Sequence, residues 1–139
     1  MKIVVDSYAW IEVFAGTRKG EKAKEVIGKA DAVLTPDIVL AEIARKYIRE
    51  GLTERTVKER LIMISEASQV IAIDASIAFE AARAYFELKE RAKDKGLREP
   101  SLFDAIVLGS SRVLNANIIT GDEHFKDMPE TIWLETKLN

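Results

Sequence analysis

The sequence predicts an α/β fold in which a parallel sheet is covered by helices on both faces. Short apolar segments alternate along the chain with longer segments of helical periodicity, which is the pattern of strand–helix–strand units. Segments such as KIVV and NIIT have adjacent branched apolar residues at their centres, as expected of short strands buried on both faces. No internal repeat or linker-like segment interrupts the pattern, so residues 1–139 are predicted to form one domain.

The first strand is predicted over KIVVD and ends at Asp6. The next segment, SYAWIEVFAG, has apolar residues at helical spacing, Tyr8, Ile11 and Phe14, and Gly16 can end the helix. A charged helix follows over residues 18–30, and AVLT forms the second strand.

Thr35 and Pro36 predict the start of the third helix, with Thr35 as the cap and Pro36 at the first helical position. This helix is expected to run to about Glu50 and to stop at Gly51. The segment TERTVKERLIMISEAS predicts a fourth helix, with its two threonines as alternative caps.

The third strand is predicted over residues 69–73, and Asp74 is expected to cap a long helix over residues 75–95. KGLRE forms a loop, after which Pro100 and Ser101 begin a helix that reaches about Leu114. NIIT and TIWLE are the fourth and fifth strands.

Composition excludes several classes of function. The chain is 47% hydrophobic and 32% charged and has no apolar stretch long enough for a transmembrane helix. Its N-terminus lacks the features of a signal peptide, so we expect a cytoplasmic protein. The absence of Cys excludes disulfides and thiolate metal sites, and a single histidine, His124, excludes a multi-His zinc site. The net charge of −2 argues against a general nucleic-acid coating protein but not against a nuclease.

Four acidic residues stand where strands or helices would aim them at one point: Asp6, Glu42, Asp104 and Asp122. Asp6 closes one strand and Asp122 follows another, and ligands of parallel sheets bind beyond the carboxyl ends of the strands. Four converging carboxylates repel one another unless some stay protonated. Mg²⁺ or Mn²⁺ would remove this conflict, because these ions favour oxygen ligands and suit phosphate chemistry.

Two of these acids also have simple structural interpretations. Asp6, between a strand and a helix, is a common kind of N-cap, although the neighbouring Ser7 could cap instead and leave Asp6 free. Glu42 lies inside a helix and could form an i,i+4 ion pair with Lys46.

The other two acids have structural alternatives as well. Ser101 and Asp104 have the spacing of a capping box, and the same geometry would present a rigid carboxylate at the start of a helix. Asp122 could cap a short helical turn through Phe125. His124 is a candidate general base, but a lone His in a polar loop is more often exposed or locally hydrogen-bonded.

The aromatic residues are interpreted as core or interface residues: Trp10, Phe14, Phe79, Tyr85, Phe86 and Trp133. Two basic clusters are interpreted mainly as solvated helix faces, with a basic rim for a phosphate backbone as the alternative: Arg45, Lys46 and Arg49, and Arg55, Lys58 and Arg60.

Taken together, VVDSYAWIEVF, AEIARKY, SLFDAIVLGSSR and IITGDEHF closely resemble the PIN-domain family, and in particular VapC-like toxins. The resemblance spans essentially the whole chain, and the FDAIVLGSSR and TGDEHF segments after an N-terminal VVDS are specific as a set. One departure is at Gly109-Ser110, where the family often has Ala, so helix packing is expected to differ there.

The resemblance implies a Rossmann-like, five-stranded parallel sheet and a Mg²⁺- or Mn²⁺-dependent ribonuclease, expected to be an endonuclease. It also implies a protein antitoxin, a homodimer and hydroxyl groups supporting the site at Ser7 and Thr120. Metal-site and catalytic roles fall on the four acids: Asp6, Glu42, Asp104 and Asp122.

Three functional alternatives stay open from the sequence. A phosphoryl-transfer or receiver-type domain could accept phosphate at Asp6 or Asp74, although the Asp-x-Asp motif or acidic pair that such domains need is missing. A PIN-like module could bind RNA or a protein without cutting, although unpaired acids would repel RNA. An RNA-processing nuclease without an antitoxin is the third alternative.

Overall fold

The protein is built on a five-stranded, fully parallel sheet, seen in a computed structural model that describes residues 1–135. The strands are β1 (Lys2–Val5), β2 (Ala32–Pro36), β3 (Gln69–Ile71), β4 (Asn117–Thr120) and β5 (Thr131–Trp133). The helices are α1 (Ser7–Ala15), α2 (Arg18–Lys29), α3 (Asp37–Arg49), α4 (Glu54–Ala67), α5 (Ala75–Lys95) and α6 (Leu102–Leu114). The predicted α/β fold class is confirmed.

The strand order is β3-β2-β1-β4-β5, so the chain builds outward from β1 in one direction and then returns to build outward in the other. The order therefore reverses between β1 and β4, which pair directly through Val4 and Ile118. Crevices at such reversals, beyond the carboxyl ends of the strands, are where ligands bind in open α/β sheets.

Burial of the central strands shows that both faces of the sheet are covered. Ile3, Val4 and Val5 in β1 are each 0% exposed, although successive side chains of a strand point to opposite faces. Ile118 and Ile119 in β4 are equally buried. No helix in the described part of the chain is long and apolar enough to cross a bilayer.

Most helix boundaries follow the predicted signals. Gly16 ends α1 in the left-handed conformation, with φ of 67°, and Thr53 caps α4 by accepting a hydrogen bond from the Thr56 N–H at 3.2 Å. Asp74 caps α5, which spans residues 75–95 as predicted. Two strands are shorter than predicted: β3 ends at residue 71 instead of 73, and β5 ends at residue 133 instead of 135.

The predicted start of α3 is wrong. Thr35 does not cap the helix but lies inside β2, completely buried. Its hydroxyl accepts a hydrogen bond from the Trp10 indole N–H at 3.1 Å and lies 2.7 Å from the Ser68 hydroxyl. Because the Thr35 hydroxyl is bonded to these buried partners, it does not accept a backbone N–H at the start of α3. The helix therefore begins at Asp37 without a side-chain cap.

The interpretation of Phe79 and Phe86 as core residues is also wrong. Both lie on α5 and are 67% and 65% exposed. The opposite side of α5 is buried instead, through Ala81, Ala84 and Leu88, and packs extensively on α6. An interface role for the two phenylalanines remains compatible with their exposure.

Gly109 allows the close approach of α6 to α5. A Cβ atom at this position would lie 2.7 Å from the Ala81 backbone nitrogen and 2.8 Å from its Cα atom. We therefore expect Gly109→Ala to lower the free energy of unfolding by about 1–3 kcal/mol, because backbone atoms cannot move aside as a side chain can.

Gly28→Ala is the matched control, because no atom lies within 4 Å of a Cβ at that helical position. This variant should gain about 0.5–1 kcal/mol from the lower entropy of its unfolded state. Urea unfolding of both variants measures the two changes, and equal stability of Gly109→Ala and the wild type would contradict the close helix packing.

Candidate metal centre

The four predicted acids meet at the point where the strand order reverses. Asp6 directly follows β1 and Asp122 follows β4 by two residues, while α3 contributes Glu42 and the first turn of α6 contributes Asp104. Glu42, Asp104 and Asp122 line one cleft of about 770 Å³. Asp6 lies deeper and is only 5% exposed, yet the charges of Asp122 and Glu42 both act on it.

Three of the acids hold the start of a helix with one carboxylate oxygen. Oδ1 of Asp6 accepts the Ala9 N–H at 2.9 Å, Oδ2 of Asp104 accepts the Ser101 N–H at 3.0 Å, and Oδ1 of Asp122 accepts the His124 N–H at 2.9 Å. In Asp122, the second oxygen has no hydrogen-bond partner among the described residues, and the carboxylate of Asp104 bonds only to the backbone and the hydroxyl of Ser101. Capping and metal binding are therefore compatible, because each function needs a different oxygen.

The two predicted hydroxyl groups contact this acidic cluster. The Thr120 hydroxyl accepts the Asp122 N–H at 2.9 Å, so its own hydrogen is available for the hydrogen bond that it makes to Asp6. Ser7 hydrogen-bonds to Glu42. Ser7 does not cap α1, because Asp6 does so, and the alternative in which Ser7 frees Asp6 from capping is wrong.

The alternative interpretation of Glu42 as a surface ion-pair partner is wrong as well. Lys46 pairs instead with Glu50, with 2.9 Å between Nζ and Oε1. Glu42 is half-buried and faces the cleft, so it is left without that counter-charge.

Burial makes the acids hard to ionise together. It raises the pKa of Asp6 to about 8, against the opposing hydrogen bonds from Thr120 and Ala9, and the charges of Asp122 and Glu42 raise it further. Burial also raises the pKa of Glu42 and of Asp104, with added repulsion from Asp104 in the first case and from Asp122 in the second.

His124 is buried and hydrogen-bonded at both ring nitrogens, whereas the sequence left open an exposed position. Nδ1 lies 2.9 Å from Oδ1 of Asp122, and Nε2 lies 2.9 Å from the Arg98 carbonyl. Burial alone would lower the pKa of His124, but these two acceptors raise it, because each favours a protonated nitrogen. The His124 ring therefore links Asp122 to the loop that carries Arg98 through these two hydrogen bonds.

The donor set fits a hard divalent cation. Ligand atoms of Asp104, Asp122 and His124 all lie within 4.8 Å of one another. Both nitrogens of His124 are already engaged, so carboxylate oxygens are the better ligands, and oxygen ligands are those that Mg²⁺ and Mn²⁺ prefer. A cation there would stabilise the ionised acids, whose pKa values are raised mainly by burial and further by their mutual repulsion.

One wall of the same cleft is basic. Three basic residues, Arg45, Lys46 and Arg49, follow Glu42 at the next helical turns of α3 and line the cleft with it. Arg98 lines the cleft as well. Arg45 also stacks over the Phe103 ring at 5.3 Å. From the sequence, a basic surface on α3 was only an alternative interpretation. Arg98 was not singled out, because a single Arg in a mixed-charge loop gives no periodic pattern.

Comparisons with known proteins agree with this architecture. The family model of the PIN domain matches residues 3–131. A toxin–antitoxin complex from Klebsiella pneumoniae superposes with a TM-score of 0.70 at 19% identity, covering 96% of this chain and 98% of that one. VapBC2 from Rickettsia felis, bound to a DNA fragment from its promoter, gives a TM-score of 0.69 at 19% identity, covering 96% and 97%.

A third similar structure is VapC20 from Mycobacterium tuberculosis, a toxin that cleaves the sarcin–ricin loop. Its TM-score is 0.65 at 22% identity, covering 88% of this chain and 92% of that one. No curated protein sequence matches this chain.

The raised pKa of Asp6 predicts how stability depends on pH without metal. Native Asp6 keeps its proton up to a pKa of about 8, whereas unfolded Asp6 releases it near 3.8. The native state therefore binds more protons between these values, and the free energy of unfolding should fall as pH rises through this window. In Asp6→Asn this decline should be shallower, because Asn cannot ionise and its amide oxygen can still cap α1.

Urea unfolding in EDTA at several pH values measures the decline. The raised pKa values of Glu42 and Asp104 should leave a residual slope in Asp6→Asn. Asp127→Asn, at an exposed position outside the cleft, should keep the wild-type slope. Identical slopes for Asp6→Asn and the wild type would show that Asp6 ionises normally in the native state.

Proposed function

The chain belongs to the PIN domain family, and we propose that it is a metal-dependent endoribonuclease that acts as the toxin of a type II toxin–antitoxin pair. The observation that carries the proposal is the meeting of four acids at the reversal of strand order, where three of them line one cleft. The similar structures, a toxin–antitoxin complex and an RNA-cleaving toxin among them, support the same function.

Asp6, Asp104 and Asp122 are the proposed ligands of Mg²⁺ or Mn²⁺, with Glu42 completing the acidic set. The bound ion would activate water, polarise the phosphoryl oxygen and stabilise the charge on the leaving oxygen. Asp122 offers the cleft an oxygen that no described protein group occupies, and Asp104 lines the same cleft. Hydrogen bonds from backbone N–H groups fix the orientation of both side chains, as a precise site requires.

Glu42 is proposed to orient the attacking water. Its carboxylate is held by Ser7, borders the cleft and has a raised pKa because it is half-buried. A carboxylate of this kind accepts a hydrogen bond from water and thereby points the water's lone pair towards the phosphorus atom.

RNA is the proposed substrate because the acids share their cleft with cations. Among the described residues, no carboxylate lies within 4.0 Å of Arg45, Arg49 or Arg98. These three side chains can therefore pair with phosphates, even though the net charge of the whole chain is −2. The cation wall would offset the repulsion between the acids and the phosphate backbone.

Two kinds of protein partner complete the proposal: an antitoxin that covers the cleft, and a second copy of the chain. Exposed apolar side chains suit such contacts, namely Ile62 and Met63 on α4 and Phe79 and Phe86 on α5. Phe79 and Phe86 are seven residues apart and so lie on one face of α5, the proposed homodimer contact. The proposed place of action is the cytoplasm, where RNA targets are made.

Asp104→Asn tests the proposed reaction. The variant should fold, because the Asn amide oxygen can still accept the Ser101 N–H in the capping box. Its cleavage of end-labelled RNA with Mn²⁺ or Mg²⁺ should fall by at least about 10³-fold, since a ligand charge is lost at the reacting centre. EDTA should abolish wild-type cleavage, and Asp127→Asn should cut as the wild type does. Full activity of Asp104→Asn would refute the site assignment.

The homodimer is tested by Phe79→Asp combined with Phe86→Asp. We expect the wild type to have the mass of a dimer in light scattering and the double variant to have the mass of a monomer, because buried unpaired charges oppose association. Phe79→Leu with Phe86→Leu should keep the dimer. A dimeric Asp variant would place the contact elsewhere.

A further inference from the structure

Tyr8 and Lys19 form a pair at the wall of the acidic cleft that the proposed chemistry leaves unused. Tyr8 lines the cleft together with Glu42, Asp104 and Asp122. Lys19 reaches it from α2, with 2.8 Å between its Nζ and the Tyr8 hydroxyl oxygen and 5.5 Å between Nζ and the ring centroid.

The Tyr8 ring is held in a fixed position beside the acids. A Cβ atom at Gly121 would lie 2.4 Å from Cε1 of Tyr8 and 2.7 Å from Cζ, so the ring packs directly on the glycine that precedes Asp122. A side chain at this position would displace the ring. The glycine thus lets the Tyr8 hydroxyl lie close to Asp122.

The direction of the hydrogen bond between Lys19 and Tyr8 leaves the Tyr8 O–H and further Lys19 N–H groups available as donors. An ammonium group can only donate, so the Tyr8 oxygen is the acceptor and its own O–H hydrogen is unused. Among the described residues, that hydroxyl has no acceptor, and no carboxylate lies within 4.0 Å of Lys19. Lys19 also keeps its charge, since the hydrogen bond with Tyr8 raises its pKa.

We propose that Tyr8 and Lys19 form an anchor for a phosphate of the RNA strand, next to the phosphate that is cut. The inference rests on the proposed ribonuclease function. An O–H donor beside a permanent cation matches the oxygens of a phosphodiester, and the rigid ring fixes how far this phosphate lies from the acids. Both side chains would bind the RNA strand at a phosphate that is not cut, and neither belongs to the acidic cluster.

The rival explanation is that the pair only ties α1 to α2. These helices already pack closely, because a Cβ at Gly20 would lie 2.0 Å from the Glu12 carbonyl oxygen. A tie would contribute to stability and leave RNA binding unchanged. An anchor would contribute to RNA binding whatever its effect on stability.

The test uses Tyr8→Phe, Lys19→Met and the double variant of the full chain, with Lys24→Met as the control. Tyr8→Phe keeps the ring on Gly121 and removes only the hydroxyl, and Lys24 lies on the same helix but outside the cleft. Steady-state cleavage of single-stranded RNA with Mn²⁺ gives KM and kcat. Fluorescence anisotropy of the same RNA, with Ca²⁺ replacing Mn²⁺, gives Kd at several salt concentrations.

Each single variant should raise KM and Kd about tenfold and change kcat less than about twofold, because an anchor binds substrate and transition state equally. The double variant should be little worse than either single variant, since the two groups act on one phosphate. Lys19→Met should also reduce the slope of log K against log salt by about 0.7, the value for one phosphate contact on a single strand, whereas Tyr8→Phe should not. Lys24→Met should match the wild type.

Two results would overturn the anchor while leaving the ribonuclease intact. One is wild-type KM and Kd in both variants, and a lower melting temperature in these variants would then support the helix tie. The other is a loss of kcat at constant KM, which would mean that Tyr8 acts on the reaction. A wild type that neither binds nor cuts RNA would instead refute the proposed function, and the anchor with it.

Discussion

The burial of carboxylates at one place, together with their mutual repulsion, is the constraint on which the rest of this structure depends. Four acids converge where the strand order reverses, and burial raises the pKa values of Asp6, Glu42 and Asp104. Such an arrangement costs stability in the metal-free protein. The rest of the fold stabilises the arrangement of the acids. The contributions come from the covered sheet faces, the three capped helix starts and the close contact between α5 and α6. A bound divalent cation would stabilise the ionised carboxylates and thereby the folded protein.

The local and the functional roles of the acids depend on the same geometry. Asp6, Asp104 and Asp122 each use one oxygen to accept a backbone N–H at the start of a helical segment. This contact places the negative charge where free N–H groups favour it, and it fixes the side chain without using the second oxygen. A carboxylate that caps a helix beside the carboxyl ends of parallel strands would therefore need little rearrangement to bind a metal ion.

Local signals in the sequence predicted much of the fold and of the candidate site. The strand patterns, the stop at Gly16, the cap at Asp74 and the capping box at Ser101 all act over a few residues and are all found in the structure. Contacts between distant segments were not predictable. Thr35 was expected to cap a helix but is held in β2 by Trp10 and Ser68, and Lys46 pairs with Glu50 instead of Glu42.

The sequence did not point to Lys19 or Arg98 as residues near the site. Arg98 lies in a mixed-charge loop, and Lys19 lies on a helix that was predicted but not placed beside the cleft, so only the tertiary fold brings them to the cleft or its wall. The local hydrogen bond expected for His124 is found with Asp122, whereas its bond to the Arg98 carbonyl, 26 residues away in the chain, could not be predicted. Strand ends predicted the places of Asp6 and Asp122, and helix positions those of Glu42 and Asp104, whereas the cations of α3 were named only as an alternative.

Asp6 is expected to keep its proton at neutral pH until a divalent cation binds to the acidic cluster. Calorimetric titration with Mn²⁺ at about pH 7, in two buffers of different ionisation enthalpy, measures whether that proton is released. We expect binding to one cleft with release of about one proton, mainly from Asp6, whose pKa is about 8. Binding without proton release, or no binding by the folded protein, would contradict this expectation.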